Sequence, residues 1–101
     1  MTGKRLQLVI LAAALLSALM LRAAELSPWD EWRLGYTNFE IGEQNRSRGN
    51  YTAALEAFEK SRNHYQAVKR ARPDWNQKVI RERLGACDKQ ISELRRFVVC
   101  D

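Results

Sequence analysis

The sequence predicts an all-α domain behind an amino-terminal targeting segment, and three observations indicate this fold class. After residue 24, apolar residues recur at intervals of three and four in three successive stretches, which is the spacing of one helix face. Each stretch begins with residues that favour helix starts. Only Val98 and Val99 have the character of a strand, and two residues are too few to form one. A chain of 101 residues has room for one domain, so we assign residues 25–101 to it.

Residues 1–24 have the features of a signal peptide. Lys4 and Arg5 form a short positive region, and the run from Leu6 to Leu21 is apolar apart from two polar residues. As a helix, this run would span about 24 Å, which is less than the roughly 30 Å hydrocarbon core of a bilayer. We therefore predict export, with cleavage releasing a periplasmic or secreted protein.

An uncleaved membrane anchor through residues 6–21 is the alternative, because the cleavage site is imperfect. Cleavage after Ala23 would place Leu21 three residues before the cut, and cleavage after Ala24 would place Arg22 there. A small residue is preferred at that position. Retention of the segment predicts an inner-membrane protein whose domain faces the periplasm.

The formal net charge of +5 exaggerates how basic the domain is. Lys4, Arg5 and Arg22 belong to the targeting segment, and subtracting these three leaves +2 for residues 25–101. Electrostatic binding to nucleic acid requires a concentrated basic face. We therefore expect no nucleic-acid partner.

The first predicted helix begins at Pro28 and ends near Arg46. Ser27 precedes it as a good N-cap, Pro28 suits the first helical position, and Asp30 supplies a first-turn carboxylate. Two glycines seven residues apart lower its helix propensity by roughly 1 kcal/mol each, which predicts the close approach of another backbone. The helix also carries one aromatic stripe, formed by Trp29, Trp32, Tyr36 and Phe39.

The second predicted helix begins at Tyr51 or Thr52, with Asn50 as its N-cap. It ends near Ala71, because the residue before Pro73 is pushed out of the helical region. Small and apolar residues share one face of this helix, as expected for packing on other helices: Ala54, Phe58, Ser61, Tyr65 and Val68.

The third predicted helix begins at Asp74, with Gln77 completing a capping box three residues later. Its apolar residues repeat at spacings of four and three: Ile80, Leu84, Cys87, Ile91, Leu94 and Val98. Together, the three helices predict a three-helix bundle.

The stretch from Ile41 to Phe58 resembles a tetratricopeptide repeat, a helix-turn-helix unit of about 34 residues. In that family a Leu-Gly pair on the first helix is followed by a Gly-x-Tyr turn, and then by an alanine and an aromatic residue on the second helix. The resemblance covers one repeat, and it implies that the small residues let the two helices touch while the aromatic residue fills the space between them. The matching residues are Ile41, Gly42, Gly49, Tyr51, Ala54 and Phe58.

Residues that could support catalysis or metal binding are sparse. His64 is the only histidine, and we expect it at the surface or boundary of the second helix. Cys87 and Cys100 lack the spacing of metal ligands, and no residue has the sequence setting of an activated nucleophile. We predict a protein that is not an enzyme and that has neither a cofactor nor a small-molecule substrate.

Cys87 and Cys100 leave three outcomes open. They are 13 residues apart, and one continuous helix would separate them by about 20 Å, too far for a bond. An intramolecular disulfide therefore requires the chain after Phe97 to fold back. A bridge between two molecules and a pair of unbonded thiols are the alternatives.

A single repeat cannot bury both of its faces, and the third helix can cover only one side. We therefore predict a non-catalytic adaptor of a bacterial envelope assembly, which docks a partner helix or a second copy of itself. Arg70 and Arg72 would lie at the rim of the contact, and the apolar contact itself would come from the aromatic stripe, Trp29, Trp32, Tyr36 and Phe39.

Other interpretations of the same residues stay open. The aromatic stripe also fits the core of the domain, or a membrane surface beside an amino-terminal anchor. Arg70 and Arg72 also fit a solvated helix end, or a contact with anionic lipid. The alternative functions are a membrane-anchored structural subunit that retains its amino-terminal helix, and a self-sufficient domain with a redox-sensitive Cys87.

Overall fold

The computed structural model describes residues 26–98, which form three α-helices and no strand. These are α1 (Pro28–Ser47), α2 (Tyr51–Ala71) and α3 (Gln77–Leu94). The all-α fold class is therefore confirmed for this part of the chain.

The predicted targeting segment, residues 1–24 with its apolar run 6–21, lies outside the described residues, and so does Cys100. Within residues 26–98, no helix has both the length and the apolar character needed to cross a membrane. Because Cys100 lies outside this range, the three outcomes predicted for Cys87 and Cys100 stay open.

The start of α1 follows the predicted capping pattern. The Ser27 hydroxyl accepts a hydrogen bond from the Asp30 backbone N–H at 3.2 Å and donates one to the Asp30 carboxylate at 2.8 Å. Pro28 occupies the first turn, where its missing N–H costs nothing. At the other end, Gly49 takes a φ of +79° in the turn before α2, a conformation that glycine adopts without strain.

The predicted start of α3 is wrong by three residues. The Arg72 carbonyl accepts a bond from the Trp75 N–H at 3.1 Å, and Asn76 is left-handed with a φ of 45°. The chain therefore turns through residues 72–76, and the capping box of Asp74 and Gln77 does not form. The turn carries Trp75 back to α1, a long-range contact that the local sequence pattern does not contain.

Neighbouring helices run antiparallel around a shared core on α2. Phe39 packs edge-on against Phe58, with ring centroids 5.0 Å apart, and Trp32 packs in the same way against Tyr65 at 5.2 Å. Since α3 reverses direction again, it runs parallel to α1. The buried hydrophobic residues are Ala54, Ala57, Phe58, Tyr65, Val68, Ile80, Cys87, Ile91 and Leu94.

The two glycines of α1 are buried against aromatic rings of α2. A Cβ added at Gly42 would lie 2.8 Å from the ring of Phe58, and one at Gly35 would lie 2.9 Å from the ring of Tyr65. Real Cβ contacts are essentially never this short. Close approach at these glycines is thus confirmed, but the approaching groups are aromatic side chains rather than a backbone.

A hydrogen-bonded serine connects all three helices inside the core. The buried Ser61 hydroxyl donates to the Gly35 carbonyl at 2.6 Å, and the Cys87 thiol donates to the Ser61 oxygen at 3.4 Å. The polar group of α2 is therefore satisfied without water. Through Ser61, α1 and α3 are both bonded to α2 at the same level along its axis.

Contact between α1 and α3 involves two arginines. Arg46 of α1 bonds to Gln90 and pairs with Glu93 at 2.9 Å. Arg83 of α3 lies over the ring of Trp32, with its guanidinium carbon 6.0 Å from the ring centroid. The arrangement therefore has α2 as the common packing partner, with long side chains joining the outer two helices.

Candidate interaction surface

Large apolar side chains are exposed chiefly on α1 and at its start. Trp29 is 60% exposed, and Phe97, after α3, is equally so. Exposed apolar area of this kind marks interaction sites when it lies together. The other exposed large apolar residues between positions 26 and 98 are Leu26, Leu34, Tyr36, Ile41 and Tyr51.

The structure divides the predicted aromatic stripe between surface and core. Trp29 and Tyr36 are exposed, the latter by 45%. Trp32 and Phe39 are half-buried and pack on the core cluster. The face of α1 that contacts α2 is centred on Gly35 and Gly42. The aromatic stripe therefore lies partly inside this contact and partly outside it.

A small cleft joins the start of α1 to the turn before α3, and we call it the turn cleft. Its volume is about 270 Å³, and its lining includes Trp29, Arg72 and Trp75. Trp29 and Arg72 belong to the predicted contact set, and the fold brings them together. Trp75 was not predicted as a contact residue, although a tryptophan two residues after Pro73, in an otherwise polar turn, is a usable signal of long-range packing.

Two arginines differ from the prediction: Arg70, which was predicted at the contact, and Arg83, which was not. Arg70 is exposed on α2 and lies outside the lining of the turn cleft. Arg83, which the sequence did not single out, places its guanidinium carbon 5.7 Å from the ring centroid of Tyr36. The pKa of Tyr36 is raised, chiefly by its hydrogen bond and charge interaction with Glu40.

A second cleft, the α2–α3 cleft, lies between the end of α2 and the first half of α3. Its volume is about 540 Å³. Its lining combines cations with an apolar base, and it shares Arg72 and Trp75 with the turn cleft. Its lining includes Lys69, Arg72, Trp75, Ile80, Arg81, Leu84, Gly85 and Asp88.

Gly85 in this cleft is expected to accept a side chain. A Cβ there would meet no atom within 4 Å in the described part of the chain. Gly85→Ala should therefore raise the free energy of unfolding by about 0.5–1 kcal/mol, because alanine has the better helix propensity. Urea unfolding followed by circular dichroism measures this change. A loss of stability would show that Gly85 is required by packing within the chain.

The repeat-motif residues fall into a buried and an exposed group. Gly42, Ala54 and Phe58 are buried, and Gly42 lies against the Phe58 ring of α2. Ile41 is 42% exposed, and Tyr51 is 38% exposed and stacks on Phe97, with ring centroids 5.1 Å apart. The motif therefore describes the helix contact rather than the exposed surface. Gly49 supplies the turn.

Within residues 26–98, the groups with the most reactive chemistry are buried or paired. Burial raises the pKa of the Cys87 thiol, and the Ser61 hydrogen bond lowers it less. The exposed fraction of Cys87 is 0%, which is typical of an inert thiol. His64 contacts the Glu31 carboxylate, with 2.5 Å between Nδ1 and Oε2. Within residues 26–98, no three histidine, cysteine or acidic side chains are grouped as metal ligands would be.

The hydroxyl of Tyr65 is buried, finds no hydrogen-bond partner within residues 26–98 and has its pKa raised by burial to about 12. The unfolded chain releases this proton near pH 10, so stability should fall as pH rises from about 10 through 12. Tyr65→Phe removes the unpaired hydroxyl and should raise the free energy of unfolding by about 1 kcal/mol near neutral pH.

Urea unfolding near neutral pH and above pH 10 tests both expectations for Tyr65. The Tyr65→Phe variant should lose less stability at alkaline pH than the parent protein. Tyr51→Phe is the control, since Tyr51 is exposed and surface changes usually stay within about 0.5 kcal/mol. A Tyr65→Phe protein that is less stable than the parent would mean that the hydroxyl does have a partner.

Comparison of the chain with protein-family models, with characterised proteins and with solved structures finds no match in any of the three. The tetratricopeptide-like resemblance therefore stays a prediction from the motif residues. Function has to be inferred from the surface geometry.

Proposed function

We propose that residues 25–101 are an exported, non-catalytic interaction module that docks a partner helix or a second copy in an envelope assembly. The observation that carries this proposal is Trp29. This tryptophan is 60% exposed at the start of α1, and it borders a cleft together with Arg72 and Trp75. Tryptophan and arginine are the residues most often found as binding hot spots.

The turn cleft suits side chains of a protein better than a small molecule. Its volume of about 270 Å³ lies just below the range of roughly 300–1,000 Å³ that small-molecule sites occupy. Trp29 and Trp75 provide apolar walls, and Arg72 provides a charged edge. An apolar centre with a polar rim is the usual anatomy of a protein–protein contact.

The neighbouring surface of α1 extends this contact along the helix. Tyr36 follows Trp29 by seven residues, so the two side chains lie on the same side of α1. Arg83 lies over Tyr36 and holds its ring in place by a cation–π contact. We call Trp29, Tyr36 and the turn cleft together the α1 surface. A partner helix lying along α1 would bury both aromatic rings.

Paired serine substitutions on α1 test the proposal. Trp29→Ser/Tyr36→Ser changes the α1 surface. Leu34→Ser/Ile41→Ser is the matched control, because Leu34 and Ile41 are also exposed on α1. Each lies five residues after its counterpart, Trp29 or Tyr36, and therefore about 140° away from it around the helix axis. Both double variants should keep the helical circular dichroism of the parent protein.

The expected result concerns the size of the native assembly, measured by gel filtration of extracts from the natural host. The assembly should become smaller with Trp29→Ser/Tyr36→Ser and keep its size with Leu34→Ser/Ile41→Ser. A monomer-sized parent protein, or an equal response of the two variants, would contradict the proposal.

Intact mass of the protein from its host tests export and the fate of the targeting segment. A mass lacking residues 1–23 or 1–24 supports a released module. A full-length mass in the membrane fraction supports the alternative function, a membrane-anchored structural subunit with the amino-terminal helix retained. Without reductant, a further loss of two hydrogens would show that Cys87 and Cys100 are paired.

A further inference from the structure

The α2–α3 cleft has an apolar base and a positively charged border. Ile80 is 3% exposed and Leu84 is half-buried, so both lie deep between the helices. Lys69 of α2 and Arg81 of α3 are exposed at its borders. Arg72 adds a third cation at the end shared with the turn cleft.

Among the described residues that line the cleft, the one carboxylate is already engaged. Asp88 pairs with Arg62 at 3.3 Å, which leaves its charge partly compensated. Lys69, Arg72 and Arg81 make no ion pair with the acidic groups of residues 26–98. The cleft therefore has an excess of positive charge beside apolar surface, in a domain whose net charge is only +2 after the targeting cations are subtracted.

Gly85 leaves backbone accessible within this cleft. At Gly35 and Gly42, aromatic rings of α2 fill the space that a side chain would need, which explains why glycine stands there. At Gly85 the space is open to the residues the structure describes, although a helical glycine lowers stability relative to alanine. A glycine lets another backbone approach closely, and the open cleft leaves room for such an approach at Gly85.

We infer that the α2–α3 cleft binds an acidic amphipathic segment of a partner protein. Its carboxylates would pair with Lys69 and Arg81, and its apolar side chains would reach Leu84 and Trp75. This inference rests on the proposed function, since it names the chemistry of the partner.

The geometry favours a protein segment over a lipid surface. The apolar residues lie at the base of a cleft between two helices, and Ile80 is only 3% exposed. A flat membrane would meet the exposed lysine and arginine side chains and leave this base uncovered. An inserted segment reaches both the cations and the apolar base.

The binding experiment uses the ¹⁵N-labelled protein in the form that its host produces. The first probe is a synthetic peptide with leucine at helical spacing and glutamate at the other positions. Its counterpart has lysine in place of glutamate. Inorganic phosphate and phosphatidylglycerol vesicles are the remaining probes. The readout is the NMR signal of the Gly85 amide and of the Trp75 indole N–H.

Two double variants with equal charge change provide the comparison. Lys69→Glu/Arg81→Glu reverses the border of the cleft. Lys60→Glu/Lys89→Glu reverses exposed charges on the same two helices outside the cleft lining. Neither pair includes a residue of the α1 surface, so a failure here is distinct from a failure of the proposed function.

The acidic peptide should shift both NMR signals in a saturable way, and the lysine peptide and phosphate should not. Its affinity should fall about tenfold or more in Lys69→Glu/Arg81→Glu and stay near the parent value in Lys60→Glu/Lys89→Glu. Gly85→Trp, which fills the open space, should abolish the shift of the Trp75 indole while the helical circular dichroism persists.

Three results would overturn the inference. The first is the lack of any saturable shift at Gly85 with the acidic peptide. The second is an equal loss of affinity in the two charge-reversed variants, which would indicate attraction by net charge alone. The third is a response to vesicles or phosphate that matches or exceeds the response to the peptide, which would assign the cleft to lipid headgroups or free anions.

Discussion

Phe58→Ala should remove about 3–5 kcal/mol from the free energy of unfolding, the usual effect of deleting a buried phenylalanine. The exposed fraction of Phe58 is 0%, and its ring fills the space between Gly42 and Phe39. A domain of this size has a total stability of roughly 4–11 kcal/mol. The variant should therefore lose a large part of its stability and unfold at a markedly lower temperature than the parent protein.

Urea or thermal unfolding followed by circular dichroism measures the effect of Phe58→Ala. Phe97→Ala is the matched control, because Phe97 is 60% exposed and stacks on Tyr51. It should cost less than about 1 kcal/mol. Similar losses in the two variants would show that Phe58 does not organise the α1–α2 contact.

Gly42→Leu should destabilise the protein by about 1–3 kcal/mol through overpacking. Even the first added carbon would lie 2.8 Å from the ring of Phe58. The gain in helix propensity, about 1 kcal/mol relative to glycine, offsets only part of this strain. The measurement is again the free energy of unfolding in urea.

The control for Gly42→Leu is the double variant Gly42→Leu/Phe58→Ala. The leucine can occupy space that the phenylalanine leaves, so the two losses should not add. The coupling should lie between about 0.5 and 3 kcal/mol. Additive losses would mean that the two residues are not in direct contact.

The helix boundaries of α1 and α2 could be predicted because their signals are local. Ser27, Pro28 and Asp30 lie within one turn of each other, and the proline that ends α2 acts on the residue before it. Asn50 occupies the expected position before α2, but its side chain makes no capping bond to the described residues. The position of the N-cap residue could therefore be predicted, but the hydrogen bond of its side chain could not.

The start of α3 could not be predicted because a distant residue decides it. Trp75 packs edge-on against Trp32, with ring centroids 5.6 Å apart, and the turn that allows this uses a left-handed Asn76. The capping box of Asp74 and Gln77 does not form, and Trp75 packs against Trp32 instead. A tryptophan in this turn indicates long-range packing, but nothing within residues 72–80 identifies Trp32 as its contact.

The aromatic stripe was only partly informative for a different reason. Hydrophobic spacing counts side chains, and the buried face of α1 is centred on Gly35 and Gly42, which have none. Trp29 and Tyr36 therefore lie on the open side of α1, although their spacing groups them with Trp32 and Phe39. Arg83 was missed because it reaches the α1 surface from another helix.

The central claim is that the α1 surface around Trp29 contacts a partner in the cell. Photo-crosslinking tests it most directly, with benzoylphenylalanine at position 29 and, as the control, at position 34 of the same helix. Irradiated cells of the natural host should give a discrete crosslinked product from position 29 and little from position 34, and mass spectrometry would tell a second copy from another protein. No product from position 29, or equal products from both positions, would contradict the claim.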